Sequence, residues 1–185
     1  MAAPAFVRVW DPLQRLLHWG LVGAIAIAWW AGEPRLAIHL GAGYAAWAFC
    51  SVRIIWGWTG SRYARFSSFV RKPAIVWRYA RATASGQERR CIGHNPLGGA
   101  MVLMLLAVIS LVCLSGWLYT TDRFWGLAWL EWLHVASAWT LVGLIALHLA
   151  GVAFVSWRHR ENLVAAMFSG RKRASLDPED ATPSR

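Results

Sequence analysis

Long apolar runs separated by short polar breaks dominate this chain. Four of them, about 13–32, 37–58, 97–119 and 133–157, reach the roughly 20 residues that a helix needs to cross the hydrocarbon of a bilayer. Breakers or charges bound each run. Gly32-Glu33-Pro34-Arg35 follows the first and Thr59-Gly60-Ser61-Arg62 the second. The third begins after Asn95-Pro96, where Asn suits a helix cap and Pro the first turn, and it stops near Thr120-Thr121-Asp122. Only a few residues link the first two helices, which makes them antiparallel neighbours. The pattern predicts an all-α membrane protein, a four-transmembrane-helix bundle with both termini on one side.

Between the second and third runs, residues 59–93 are too polar to span. Within them Pro73 to Ala84 sets Ile75, Val76, Tyr79 and Ala80 on one flank and Arg78 and Arg81 on another, which predicts an amphipathic helix on the lipid surface. Residues 1–170 are read as one domain, and 171–185, basic and then acidic, as a disordered tail. Arg8 and Arg15 ahead of the first run resemble a signal-peptide start. The run is long and Trp-rich without a convincing cleavage site, so it is expected to be a retained helix.

Composition agrees with the membrane reading: 57% of residues are hydrophobic and 14 are Trp. A net charge of +10 raises nucleic acid as a partner, but the basic residues lie between apolar runs rather than along one face, so no nucleic acid is expected. Their placement orients the chain instead. Of 19 Lys and Arg, all but Arg35 and Arg123 fall on the side of the termini, which makes that side cytoplasmic by the positive-inside rule. Trp29, Trp30, Trp117, Trp125, Trp129 and Trp132 near one boundary, and Trp10, Trp56, Trp58 and Trp157 near the other, suit interfacial belts in contact with membrane lipid. The three cysteines are scattered and form no Cys-x-x-Cys, which argues against zinc, a disulfide framework or covalently attached haem.

Four of six histidines, His18, His39, His134 and His148, lie inside expected spans, where an ionisable ring needs a partner or a function. His134 and His148 are 14 residues apart, about 21 Å along a helix and within about 40° of one direction. His18 near the start of helix one and His39 near the start of helix two are separated by a similar depth. Because helix four returns from the far side, His39 shares a level with His134 and His18 with His148. Each level offers two imidazoles from different helices, the axial set of a flat haem, and too few ligands for zinc. Two occupied axial positions leave one-electron relay as the chemistry, with no catalytic residue in the ordinary sense. Gly20, Gly23, Gly41, Gly43, Gly143 and Gly151 give room for a flat cofactor or for close helix packing. Arg15, Arg35 and Arg53 are candidate propionate contacts, with snorkelling toward head groups as the plainer role. His94 is a candidate quinone contact, or a surface histidine beside a helix cap.

These residues resemble the bacterial cytochrome b561 family, in the branch of the b-type cytochrome subunit of nickel–iron hydrogenases. The resemblance is carried by Val9-Trp10-Asp11, Arg15-x-x-His18-Trp19, His39-x-x-x-Gly43-Tyr44 and Arg53-x-x-Trp56-Gly57. Gly60-Ser61-Arg62-Tyr63-Ala64-Arg65-Phe66, Gly93-His94-Asn95-Pro96-Leu97-Gly98, His134, His148 and Arg160-Glu161-Asn162-Leu163 complete it. It implies two haem b groups held by helices one, two and four, in a multi-pass protein of the bacterial inner membrane. It also implies electron exchange between the quinone pool and a periplasmic redox partner, a c-type cytochrome or a hydrogenase-like subunit.

Two other functions compete with this relay. Superoxide:quinone oxidoreduction on the same fold needs a positive outer entrance, whereas Arg35 and Arg123 there face Glu33, Asp122 and Glu131. A cofactor-free anchor, with histidines only bridging helices, would be an expensive way to pack apolar segments.

Overall fold

The computed structural model describes residues 6–174. In chain order these form β1 (Phe6–Arg8), α1 (Pro12–Ala31), a 3-10 turn (Glu33–Arg35), α2 (Leu36–Thr59), α3 (Phe66–Phe69) and α4 (Pro73–Ala84). After them come α5 (Pro96–Tyr119), α6 (Ala128–Arg158), α7 (Leu163–Ser169) and β2 (Arg171–Arg173). Proline opens α1, α4 and α5, where its missing N–H costs nothing. Asn95 Oδ1 accepts from the Gly98 amide at 2.7 Å and starts α5. Asn162 does the same for α7 through Ala165 at 2.8 Å, and Gly170, left-handed at φ 75°, ends that helix.

Among the described residues, three segments are long and apolar enough to cross a bilayer: Glu33–Thr59, Pro96–Tyr119 and Ala128–Arg158. α1 has 20 residues but is less apolar, because Gln14, Arg15 and His18 fall in its first two turns. α6 starts five residues before the expected 133 and has 31 residues, about 46 Å of helix against roughly 30 Å of hydrocarbon. Trp129 and Trp132 therefore stand on its first turns rather than in a loop.

The chain divides into two compact units, one from the described parts of Met1–Arg15, Trp56–Val102 and His148–Arg185, the other from Leu16–Ile55 and Leu103–Leu147. In the first unit β1 pairs antiparallel with β2, with Phe6 opposite Arg173, Val7 opposite Lys172 and Arg8 opposite Arg171. The described residues are mostly helical, and this ribbon is a short addition to the helices. At the start of the expected tail, 171–173 pair in that ribbon, and Lys172, only 5% exposed, reaches Glu161 at 3.4 Å. Residues 175–185 of that tail lie outside the described residues. In α4, Ile75, Val76 and Tyr79 are half-buried, Tyr79 donates to the Arg89 carbonyl at 3.1 Å, and Trp77, Arg78 and Arg81 are exposed. The Arg81 guanidinium lies 5.1 Å from the Trp77 ring centre.

The second unit has a small-residue interior, with Ala24, Ala31, Ala42, Ala46, Cys50, Ser115 and Ser137 buried beside Leu106, Ile109, Leu130, Leu141 and Leu144. Small side chains let helix backbones approach closely, as packing without a hydrophobic drive requires. Its exterior is apolar: Ile27, Trp29, Leu36, Ile38, Leu111, Leu114, Trp139 and Leu147 are all exposed. A soluble surface rarely shows so much contiguous apolar area, whereas lipid accepts it.

Candidate functional site

In the second unit, α2 and α6 bring the His39 and His134 rings to 6.1 Å between centroids, with their planes 78° apart. His39 Nδ1 lies 2.9 Å from the Ala28 carbonyl of α1. His134 Nδ1 lies 3.1 Å from the Val112 carbonyl and 3.2 Å from the Ser115 hydroxyl of α5. A carbonyl only accepts, so each Nδ1 carries the proton, and the lone pair of each ring is on Nε2. Metal–nitrogen bonds of about 2.0–2.1 Å, with about 1 Å more to each ring centre, put two axial imidazoles on one metal about 6 Å apart. The pair thus fits a haem iron in separation, in tautomer and in the backbone carbonyl that steadies each ring.

The other candidates are distributed as follows. His18 is half-buried in α1 of the second unit, edge-on to Trp19 at 5.2 Å, and His148 is half-buried in α6 within the first unit. Arg53, in the second unit, is 4% exposed, so its charge does not snorkel to a head group. Arg15 donates to the Phe168 carbonyl and ties the start of α1 to the end of α7. Arg35 is exposed and sits 4.4 Å over the Trp30 ring. The His94 ring is held between Trp10 at 4.7 Å and Phe69 at 4.6 Å. Among the glycines, Gly20 is a packing position, since a Cβ there would meet the Phe49 ring at 2.8 Å. Added Cβ atoms at Gly23, Gly41, Gly43, Gly143 and Gly151 would meet nothing within 4 Å.

A family model described as prokaryotic cytochrome b561 matches residues 9–170. The chain belongs to the prokaryotic cytochrome b561 family. It is therefore a membrane b-type cytochrome of electron transfer, and b-type haem is its cofactor class. No curated protein and no solved structure matches the chain.

Several motif residues that carried the resemblance to cytochrome b561 prove to be architectural, which sequence reasoning missed. Asp11 accepts from the Gln14 amide at 2.8 Å, Trp56 Nε1 at 3.2 Å and Ser61 Oγ at 2.5 Å, joining three motifs in one cluster of the first unit. Burial pushes its carboxyl up, but the Ser61, Gln14 and Trp56 donors outweigh that and hold it below the usual carboxylate value. A Cβ on Gly57 would come within 2.2 Å of the Phe66 ring, and one on Gly93 within 3.0 Å of Tyr63. Glu161 meets Arg90 at 3.0 Å and Lys172 at 3.4 Å. Burial raises its pKa, but these two cations leave it net lowered. A lone acidic residue in each of two otherwise basic or apolar motifs was the available signal.

Proposed function

We propose that this chain is a diheme membrane cytochrome that relays electrons between a periplasmic redox partner and the quinone pool of the bacterial inner membrane. In this reading four helices span, both termini and residues 59–93 are cytoplasmic, and His39 and His134 face the periplasmic half. The observation that carries the reading is the His39–His134 pair, with its 6.1 Å separation and both Nδ1 protons committed to backbone carbonyls. When bound, haem b would supply one-electron transfer.

The residues divide the work. His39 and His134 would hold one haem through Nε2, and the Ala28 and Val112 carbonyls keep those rings in the tautomer that this needs. His18 and His148 would hold the second, a reading supported by the 14-residue interval that sets His148 near the same helix face as His134. Arg53, buried in an apolar span, is suited to a propionate through a charge-assisted hydrogen bond. Arg15, tied to the Phe168 carbonyl, and Arg35, over the Trp30 ring, are the other two candidates for such a contact. His94, its ring packed between Trp10 and Phe69, is the candidate quinone contact.

The test is the reduced-minus-oxidised spectrum and haem content of the purified protein and of four single His→Ala variants. Two low-spin b haems are expected in the parent and one in each variant. A variant that keeps both removes that histidine from the ligand set.

A further inference from the structure

α5 contributes no histidine, yet among the described residues it supplies both hydrogen-bond partners of the His134 ring. Val112 supplies a carbonyl at 3.1 Å from Nδ1, and Ser115, 2% exposed, supplies a hydroxyl at 3.2 Å. The Ser115 hydroxyl donates its own proton to the same Val112 carbonyl at 3.1 Å. Since Nδ1 is the donor toward Val112, its proton is shared between two oxygens, and the Ser115 oxygen accepts. Gly116 completes the arrangement: a Cβ there would lie 2.9 Å from His134 Cε1 and 3.2 Å from Nδ1. His39, by contrast, rests on the single Ala28 carbonyl at 2.9 Å.

We propose that the Val112–Gly116 turn of α5 is a positioning element for His134, with Ser115 setting the donor strength of the imidazole and Gly116 the rotation of its plane. The proposal rests on the ligation reading above and makes the two ligands of that iron unequal. A second acceptor on Nδ1–H draws the proton away from the ring and makes Nε2 a stronger donor, which favours the oxidised iron. Gly116 lets the ring lie against the helix in the orientation that leaves the two imidazole planes 78° apart.

The experiment uses the haem-loaded protein in detergent, with Ser115→Ala, Gly116→Ala and His134→Ala beside the parent. Haem content, the electron paramagnetic resonance signal of the oxidised protein and the midpoint potentials are read. Near-perpendicular imidazole planes give a strongly anisotropic low-spin signal, expected in the parent. Ser115→Ala is expected to keep both haems and raise one potential by at least a threefold shift in the one-electron equilibrium, about 28 mV at 59 mV per tenfold. Gly116→Ala is expected to turn the His134 plane and change the anisotropic signal of that haem alone. If Gly116→Ala does not fold, Ser115→Ala decides. Parent-like potentials and signals in Ser115→Ala and Gly116→Ala, while His134→Ala loses a haem, overturn the positioning role only. Two haems retained in His134→Ala overturn the ligation and this proposal with it.

Discussion

The two units hold their key side chains by different means. In the second unit, His39 and His134 are oriented by carbonyls and a hydroxyl of neighbouring helices, with no charged side chain among the described residues hydrogen-bonded to them. In the first unit, Asp11 and Glu161 gather hydrogen bonds and cations from distant parts of the sequence. The difference follows from solvent. Helix carbonyls cost nothing to provide at membrane depth, whereas a carboxylate there would be expensive unless paired. Where water is close, one carboxylate can join several segments that share no helix face.

The comparison is sharpened by changes that should disturb one unit and spare the other. The largest effect is expected from Glu161→Gln, which leaves the buried Lys172 ammonium without its counter-charge. Breaking such a pair costs about 3 kcal/mol, read as a fall in thermal midpoint while the haem spectrum below the transition stays that of the parent. Gly57→Ala forces a methyl into the Phe66 ring and is expected to cost about 1–2 kcal/mol in the same measurement.

Acid should act on the first unit in a defined sense. Asp11 and Glu161 both have folded pKa values below their unfolded ones. Their contribution is therefore complete above the unfolded carboxylate range of about 3.9–4.3 and is lost as pH falls through the lowered folded values. Amide protection factors in residues 6–15, 56–66 and 160–173 are expected to fall below about pH 4. Equal loss at 28 and 112 would erase the distinction between the units. The smallest effect is expected of Arg35→Gln, which removes the cation over Trp30 and should change stability by about 0.5 kcal/mol.

How far the chain could be read in advance also divides between the units. Length and apolarity alone marked α2 and α5 closely, because a membrane-length run of Leu, Val, Ile and Ala has few other uses. The His39–His134 meeting was legible because an antiparallel turn and a fixed helical rise tie sequence interval to depth. The carbonyls that orient those rings were not, since every residue has one and no side-chain pattern marks Ala28 or Val112. Neither was the pairing of Phe6–Arg8 with Arg171–Arg173, two short segments more than 160 residues apart whose charges suggested solvent. The role of Asp11 was hidden for the same reason: its partners Trp56 and Ser61 are adjacent only after α1 and α2 have folded back.

The central claim is that four histidines act as two pairs, and haem stoichiometry in paired substitutions tests it most directly. His39→Ala, His134→Ala and the double His39→Ala/His134→Ala should each retain one b haem, since the second loss within a pair removes nothing further. The cross-pair double His39→Ala/His18→Ala should retain none. Full retention in either single variant, or a cross-pair double that still holds a low-spin haem, would contradict the pairing.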